Sequence, residues 1–503
     1  MFAAVLAALL AVVAANDWPN WGNGLHNHRN SGNNGINRHN AKNLSLDWMV
    51  TLHGDISATP SIENGRLYIV DWAGFAYCLR ESDGSIVWEK NLVTLLGLNL
   101  TSVVSRTTPA LVGDRLIIGL QGPAYELALS KADGSLIWKT LLQTHIAAVI
   151  TQSATVEDGV IYQGVSSIEE GLAINPAYPC CSFVGTMHAI SAATGAVLWT
   201  TYMMPPDLVG VGMYAGCAVW GSSPPVDKHN VYIATGNLYT APTAVQECQE
   251  ACDANPASCA GKPPCTPESI HFDSVLALNK ATGAIVWFTR LSTSDAWTAA
   301  CLFAGPNCPL FPGPDYDFPQ APMIFGEDGL VVGQKSGTAW SLDRRTGAIR
   351  WSTTPGPGGD LGGFQWGSAL LNDGRGNVSM LGQVNNNELR NFTLSNGLPW
   401  DSSVVVNINA LNGHINWQVP VPQPGGGPGA VSATHEVLFT PAFATGIMYA
   451  WDIRNGDMLW SYQTNATLVC GPAINNNRVY FGNGYPATTM AGTPGGNLYA
   501  FEA

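Results

Sequence analysis

The 503-residue sequence predicts an all-β fold, an eight-bladed propeller of four-stranded antiparallel blades. Three observations predict it. A short phrase ending in tryptophan recurs seven times, each copy follows an apolar strand and an upstream hairpin, and the two chain ends supply complementary parts of one more unit. Composition agrees with the pattern. Apolar residues make up 46% of the chain and aromatics 9%, enough for a large core. Charged residues are only 12%, about half the usual share. Fifty-five glycines and 32 prolines call for frequent turns, which excludes a coiled coil, a helical bundle and a disordered chain.

The recurring phrase is an Asp, Thr or Asn, then Gly, then three residues and Trp. Its copies are Asp83–Trp88, Asp133–Trp138, Thr194–Trp199, Thr282–Trp287, Thr346–Trp351, Asn412–Trp417 and Asn455–Trp460. The Gly pair is a tight hairpin turn in which Gly supplies positive φ. The strand that follows carries its Trp outward to wedge against the neighbouring unit. Upstream hairpins such as Ser61–Val70 complete four short strands per unit. The tail gives three strands, beginning at Cys470, Arg478 and Asn497, and stops without its Trp strand. The head supplies that strand in Asn43–Trp48. Joining them makes the eighth blade and removes the open sheet edge. One propeller domain is expected over 17–503.

Residues 1–15 (MFAAVLAALLAVVAA) are apolar, uncharged and too short to span a bilayer, and they suit a secretory signal peptide. No later run of 18 apolar residues appears, so no membrane span is expected in the mature chain, which would be secreted, extracellular or in a periplasm-like compartment. The net charge of −14, from 36 acids against 22 bases, argues against a nucleic-acid partner. Sequons at Asn43, Asn99, Asn377, Asn391 and Asn465 are glycosylation acceptors in a eukaryotic secretory route. Eleven cysteines in an exported chain read as disulfides with at least one left over. No Cys-x-x-Cys-His is present, so no c-type haem is attached.

Function is expected where the blades carry insertions. Three stand out: Ile168–Val184 with Tyr178-Pro-Cys-Cys-Ser182, Tyr239–Ser269 with Cys248, Cys252, Cys259 and Cys265, and Cys301–Pro322 with Cys308. The four cysteines of the second favour disulfides over zinc, because their spacing lacks a paired Cys-x-x-Cys pattern. Cys301 can pair with Cys308. Cys180 and Cys181 either close an eight-membered ring, a flat apolar plate suited to a planar ligand, or take separate partners.

Several segments along the chain resemble the pyrroloquinoline-quinone (PQQ) dehydrogenases, most closely their polyvinyl-alcohol dehydrogenase-like branch. They include Ser105-Arg-Thr-Thr-Pro109, Gly164-Val-Ser-Ser-Ile-Glu-Glu-Gly171, Tyr178–Phe183, Ala218-Val-Trp-Gly-Ser-Ser223, Ala234-Thr-Gly-Asn-Leu-Tyr239, Tyr316-Asp-Phe318 and Gly333-Gln-Lys-Ser-Gly337, and the likeness runs in order along the mature chain. The resemblance implies PQQ in the central funnel. Arg106 would pair with its carboxylates, a task suited to a planar fork. Thr151, Ser166 and Ser167 would form a hydroxyl edge, with Trp220 as the stacking floor beside the Cys180–Cys181 plate. Lys335 would hydrogen-bond the quinone oxygens and stabilise charge on their reduction. Glu169 and Asn237 stand where better-known members hold Ca²⁺, and Glu170 is a substitute for Glu169; carboxylate and amide oxygens are the hard donors that ion prefers.

Two departures from the family pattern stand out. Methanol-dehydrogenase-like relatives place a basic aspartate directly after the tryptophan of one loop, whereas Ser294–Ala300 puts Thr298 there. A threonine hydroxyl is too weak a base at neutral pH, so the nearest carboxylate, Asp295, is expected to take the alcohol proton. Val184 replaces an arginine of the close relatives. The implied function is a secreted quinoprotein oxidising secondary or polymeric alcohols, with electrons passing to a separate acceptor because the chain carries no haem. The competing reading is a non-catalytic propeller of the same fold, acting as a binding or assembly scaffold.

Overall fold

A computed structural model of the chain describes residues 17–32, 35–98, 103–422, 426–486 and 492–503. The proposed signal peptide and the sequon at Asn99 lie outside the described residues. The remainder is a ring of eight blades. Blades one to seven begin in turn at Ser61, Ala110, Ala148, Val226, Met323, Gly363 and Ser432, and blade eight combines Ser45–Thr51 with Ala473–Asn475, Arg478–Gly482 and Asn497–Glu502. The head strand Ser45–Thr51 runs antiparallel to Asn497–Glu502, from Ser45 opposite Glu502 to Thr51 opposite Asn497. The two chain ends therefore close the ring.

The repeated phrase explains how the blades adhere. Each outer-strand Trp donates its indole N–H to a carbonyl of the next blade: Trp48 to Glu81, Trp88 to Lys131, Trp138 to Ala192, Trp199 to Lys280, Trp287 to Arg344, Trp351 to Ala410 and Trp417 to Ile453. Trp460 completes the circle by donating to Leu44. The turn glycine has two jobs. At Gly84 φ is +68°, and a Cβ there would lie 2.6 Å from the Trp48 ring. Any other residue would strain the turn and push the indole out of its seat.

Blade four departs from the expected four strands. Its sheet holds Asn230–Ala234, Ser274–Asn279 and Ile285–Arg290, and the innermost position is reduced to one bridge, Val226 to Val231. Pro224 and Pro225 precede that bridge and have no N–H to extend a ladder.

The N-terminal segment had no periodicity to reveal its role. Backbone hydrogen bonds tie Trp18 to Ile62, Leu25 to Val226, His26 to Ile324, His28 to Leu370 and Ser31 to Ala433, so it crosses one end of the ring and touches blades one, four, five, six and seven. Arg29 anchors it. That guanidinium is fully buried, stacks 4.3 Å from the Trp21 ring centroid, and donates to Val431 O, Trp21 O, Ser432 Oγ and Thr59 Oγ1. Burial lowers its pKa to about 9, so it stays charged at neutral pH.

Four disulfides are present: Cys180–Cys181, Cys248–Cys265, Cys252–Cys259 and Cys301–Cys308. Cys78, Cys217 and Cys470 are free and buried. The second insertion includes a helix, Thr243–Ala254, which two of these bonds staple. No helix among the described residues is long and apolar enough to cross a membrane.

Candidate functional site: two cations around Trp220

Arg106, Thr151 and Trp220 line one cavity with Trp21, Ser57, Trp366 and Tyr485. A wider cavity, about 730 Å³, lies elsewhere, beside His26, Glu157, Asp227, Lys280 and Arg344. Two of its cations are already paired, Lys280 with Glu157 at 2.6 Å and Arg344 with Asp227 at 3.2 Å. Chemistry therefore picks the smaller space.

At one end Arg106 donates to the Tyr485 hydroxyl at 2.8 Å and stands 5.6 Å over the Trp366 ring. Among the described residues no acid pairs with it. At the other end of the site, beyond the lining of that cavity, Lys335 is buried, with Nζ 2.9 Å from Asp315 Oδ2, 2.8 Å from Asp317 Oδ1 and 5.5 Å from the Trp220 centroid. Trp220 joins the two ends: its indole N–H donates to Asp317 Oδ2 at 2.7 Å, and its carbonyl accepts from Thr151. Cys180 and Cys181 pack in the same apolar cluster as Trp220.

Local sequence makes this arrangement possible. Lys335 sits in the hairpin after the strand Gly329–Gly333 and donates its backbone N–H to Asp317 O. Gly363 (φ +67°) lets the next blade press on that hairpin, since a Cβ there would be 2.3 Å from Lys335 O. Burial opposes the lysine charge, but Asp315, Asp317 and Glu170 outweigh it and hold the ammonium well above its usual range. Burial pushes Asp315 well above the carboxylate range against the pull of Lys335. Glu170 keeps some open surface yet lies deep among protein atoms, and burial, opposed by Lys335, raises its pKa to about 7.

The sequence-predicted residues divide clearly. Arg106, Thr151, Trp220, Lys335, Cys180 and Cys181 are brought together. Ser166 lies in the ladder opposite Val149, and the Ser167 hydroxyl donates to Tyr239 Oη while accepting the Glu169 N–H. Glu169 is fully buried, and its oxygens accept from the backbone N–H groups of Ser182 and Phe183 and from the Tyr178 hydroxyl. It holds the Cys-Cys loop. Of the two acids, Glu170 is the one that Lys335 influences electrostatically, without forming an ion pair with it. Asn237 anchors its Nδ2 on Leu238 O and Trp297 O, which leaves its amide oxygen as the available donor atom.

Asp295 is not placed as an open base. Both its oxygens accept backbone N–H groups, from Asp315 and Tyr316, and burial raises its pKa to about 6. Thr298 is buried and donates its hydroxyl to Asn307 O. Val184 takes a backbone bridge to Gly216. The carboxylate bonded to Trp220 and Lys335 is Asp317, which does not belong to the 294–300 loop. Its signal was the segment Tyr316-Asp-Phe318, an acid after an aromatic residue.

With that geometry in view, the pattern of the PQQ_2 family, described as outer membrane protein assembly factor BamB, matches residues 31–170, 184–397 and 401–503. The chain belongs to this family. The larger gap in the match, 171–183, falls on the Cys180–Cys181 stretch of this PQQ_2 propeller. Two polyvinylalcohol dehydrogenases, from Pseudomonas sp and from Sphingopyxis sp. (strain 113P3), are each 26% identical over 97% of the chain and 77% of their own length. A solved quinohemoprotein alcohol dehydrogenase, ADHIIG from Pseudomonas putida HK5, superposes with a TM-score of 0.73 at 16% identity, covering 97% of this chain and 80% of that one. The resemblance to the PQQ-dependent alcohol dehydrogenases, polyvinyl-alcohol dehydrogenase-like branch, is borne out.

Proposed function

We propose that the chain is an exported PQQ-dependent alcohol dehydrogenase that oxidises secondary or polymeric alcohols and hands the electrons to a separate acceptor. One observation carries the reading: a buried lysine clamped by two carboxylates beside the Trp220 indole, which shares a cavity wall with an arginine that no acid among the described residues pairs with. The names of the relatives support the same chemistry. Export is supported by the four disulfides and by the exposed positions of Asn43, Asn377, Asn391 and Asn465.

The chemistry of the lining suits the quinone, and because the cavity as it stands holds about 40 Å³, its walls must part to admit the ring. Arg106, whose partners here are neutral, is open to a carboxylate-bearing ligand. Trp220 and the Cys180–Cys181 plate offer apolar faces for a flat ring. When bound, PQQ supplies the two-electron acceptor for the alcohol carbon. Lys335 then presents Nζ as a charged donor toward the quinone oxygens, and its buried position strengthens that interaction. Asp317 is the carboxylate beside both Trp220 and Lys335, and it takes the hydroxyl proton once one of its two contacts, the Trp220 N–H at Oδ2 or Lys335 at Oδ1, gives way. Ca²⁺ would be held by the carboxylate of Glu170 and the amide oxygen of Asn237, hard donors of the kind it selects.

Reconstitution of the purified chain with PQQ and Ca²⁺ tests the reading, with quinone absorbance and dye reduction by a panel of secondary alcohols as readouts. A quinone spectrum that bleaches on alcohol addition is expected. Absence of any quinone spectrum would overturn the enzyme reading and favour a scaffold of the BamB kind.

A further inference from the structure

Asp295 follows the outer strand of blade four, and both its oxygens point at one backbone turn. Oδ1 accepts the Asp315 N–H at 2.9 Å and Oδ2 the Tyr316 N–H at 2.5 Å. The same turn is tied a second time by Gly313 N–H to Ala296 O at 2.9 Å. Gly313 leaves no slack, because a Cβ there would stand 2.3 Å from Asp295 Oδ1 and 2.5 Å from Asp295 Cα. Asp315 holds φ at +57°, a left-handed conformation that aspartate tolerates better than most side chains and that turns the chain toward Lys335. The side chains on this turn then reach the site: Asp315 and Asp317 both meet Lys335 Nζ, and Asp317 also takes the Trp220 N–H.

We propose that Asp295 is a positioning residue, which caps the 313–317 turn and so sets Asp317 against Lys335 and Trp220 without itself touching alcohol or cofactor. A carboxylate is the side chain for this task, since it offers two acceptors to two adjacent N–H groups, whereas an amide offers one acceptor and sets a donor against the other N–H. The activity part of the test rests on the dehydrogenase reading; the placement part does not.

The test compares the wild-type full chain with Asp295→Asn and Gly313→Ala, each supplied with PQQ and Ca²⁺. The indole N–H resonance of Trp220, assigned through Trp220→Phe, reports whether Asp317 is still in place. Turnover of a secondary alcohol reports the consequence. Both variants are expected to move the Trp220 resonance and to lower kcat by about 10- to 100-fold while alcohol KM stays within about twofold, the pattern of a misplaced catalytic group. Gly313→Ala keeps every hydrogen-bonding group, so it carries the test should Asp295→Asn not fold. An unmoved Trp220 resonance in the variants overturns the proposal, even if Asp295→Asn abolishes turnover, because Asp295 would then act directly. A moved resonance with turnover intact also overturns it. If the wild-type chain oxidises no alcohol, the dehydrogenase reading fails, and the resonance alone still decides whether Asp295 sets the turn.

Discussion

The two ends of the site around Trp220 hold their cations in opposite ways. Lys335 is neutralised by carboxylates on a neighbouring turn, whereas Arg106 is held by a hydroxyl and an aromatic face. A cation already paired cannot bring net charge to an anion, but it can donate to polar oxygens and steady a carboxylate beside it. A cation with neutral partners keeps its charge for an anionic ligand. Under the proposed function, the contrast would put binding at the Arg106 end and proton and electron chemistry at the Lys335 end.

Substitutions at the two ends should therefore fail differently. Asp317→Asn is expected to lower kcat by about 10²- to 10⁴-fold with the quinone spectrum retained, as measured by dye reduction at saturating alcohol. Lys335→Ala removes the donor and leaves two buried carboxylates unpaired. Reduction of bound quinone should slow by roughly 10²- to 10³-fold, and the midpoint of thermal unfolding should drop.

A third expectation concerns Glu126, buried in blade two near the segment that carries Arg106. A Cβ on Gly119 would meet its carboxyl, and Gly119 O accepts the Ser105 hydroxyl. Burial alone raises its pKa from the ordinary 4.5 to about 8. Between those values the unfolded chain has lost the proton and the folded chain keeps it. The stability contribution is thus fully present below about pH 4.5 and is lost as pH rises through about 8. Urea unfolding at several pH values should show Glu126→Gln gaining on wild type by on the order of 3 kcal/mol across that window. Equal slopes would mean that this acid is charged, and the contrast between the two ends would soften.

Arg106→Ala should weaken PQQ binding by about 10- to 100-fold in an absorbance titration, the worth of a charge-assisted hydrogen bond, while kcat at saturating cofactor changes little. Equal losses in kcat would merge the two ends into one functional unit. The smallest effect belongs to the scaffold: Trp351→Phe leaves Ala410 O without its donor and should cost about 1 kcal/mol in unfolding free energy with alcohol turnover unchanged.

The ring was legible because one phrase encodes a turn, a strand and a dock together, and it repeats often enough to show the period. Most of the site was legible too, since Arg106, Trp220 and Lys335 sit in short segments whose residue types suit their tasks. Asp317 was not, because its role depends on a turn folded back by Asp295 from another part of the chain, and such closure leaves no local spacing. Glu169 and Glu170 are neighbours in sequence, yet one holds the Cys-Cys loop and the other is influenced by the lysine, a choice made by the packing of the insertion. Blade four lost its inner strand to two adjacent prolines that were visible but unweighed. The N-terminal segment had no period to read.

That segment ties a wall of the site to the closure of the ring. Trp21 stands among the cavity walls, and Arg29, stacked on it, is bound to blade seven. Loosening the anchor would therefore shift the cavity as well as the end of the ring.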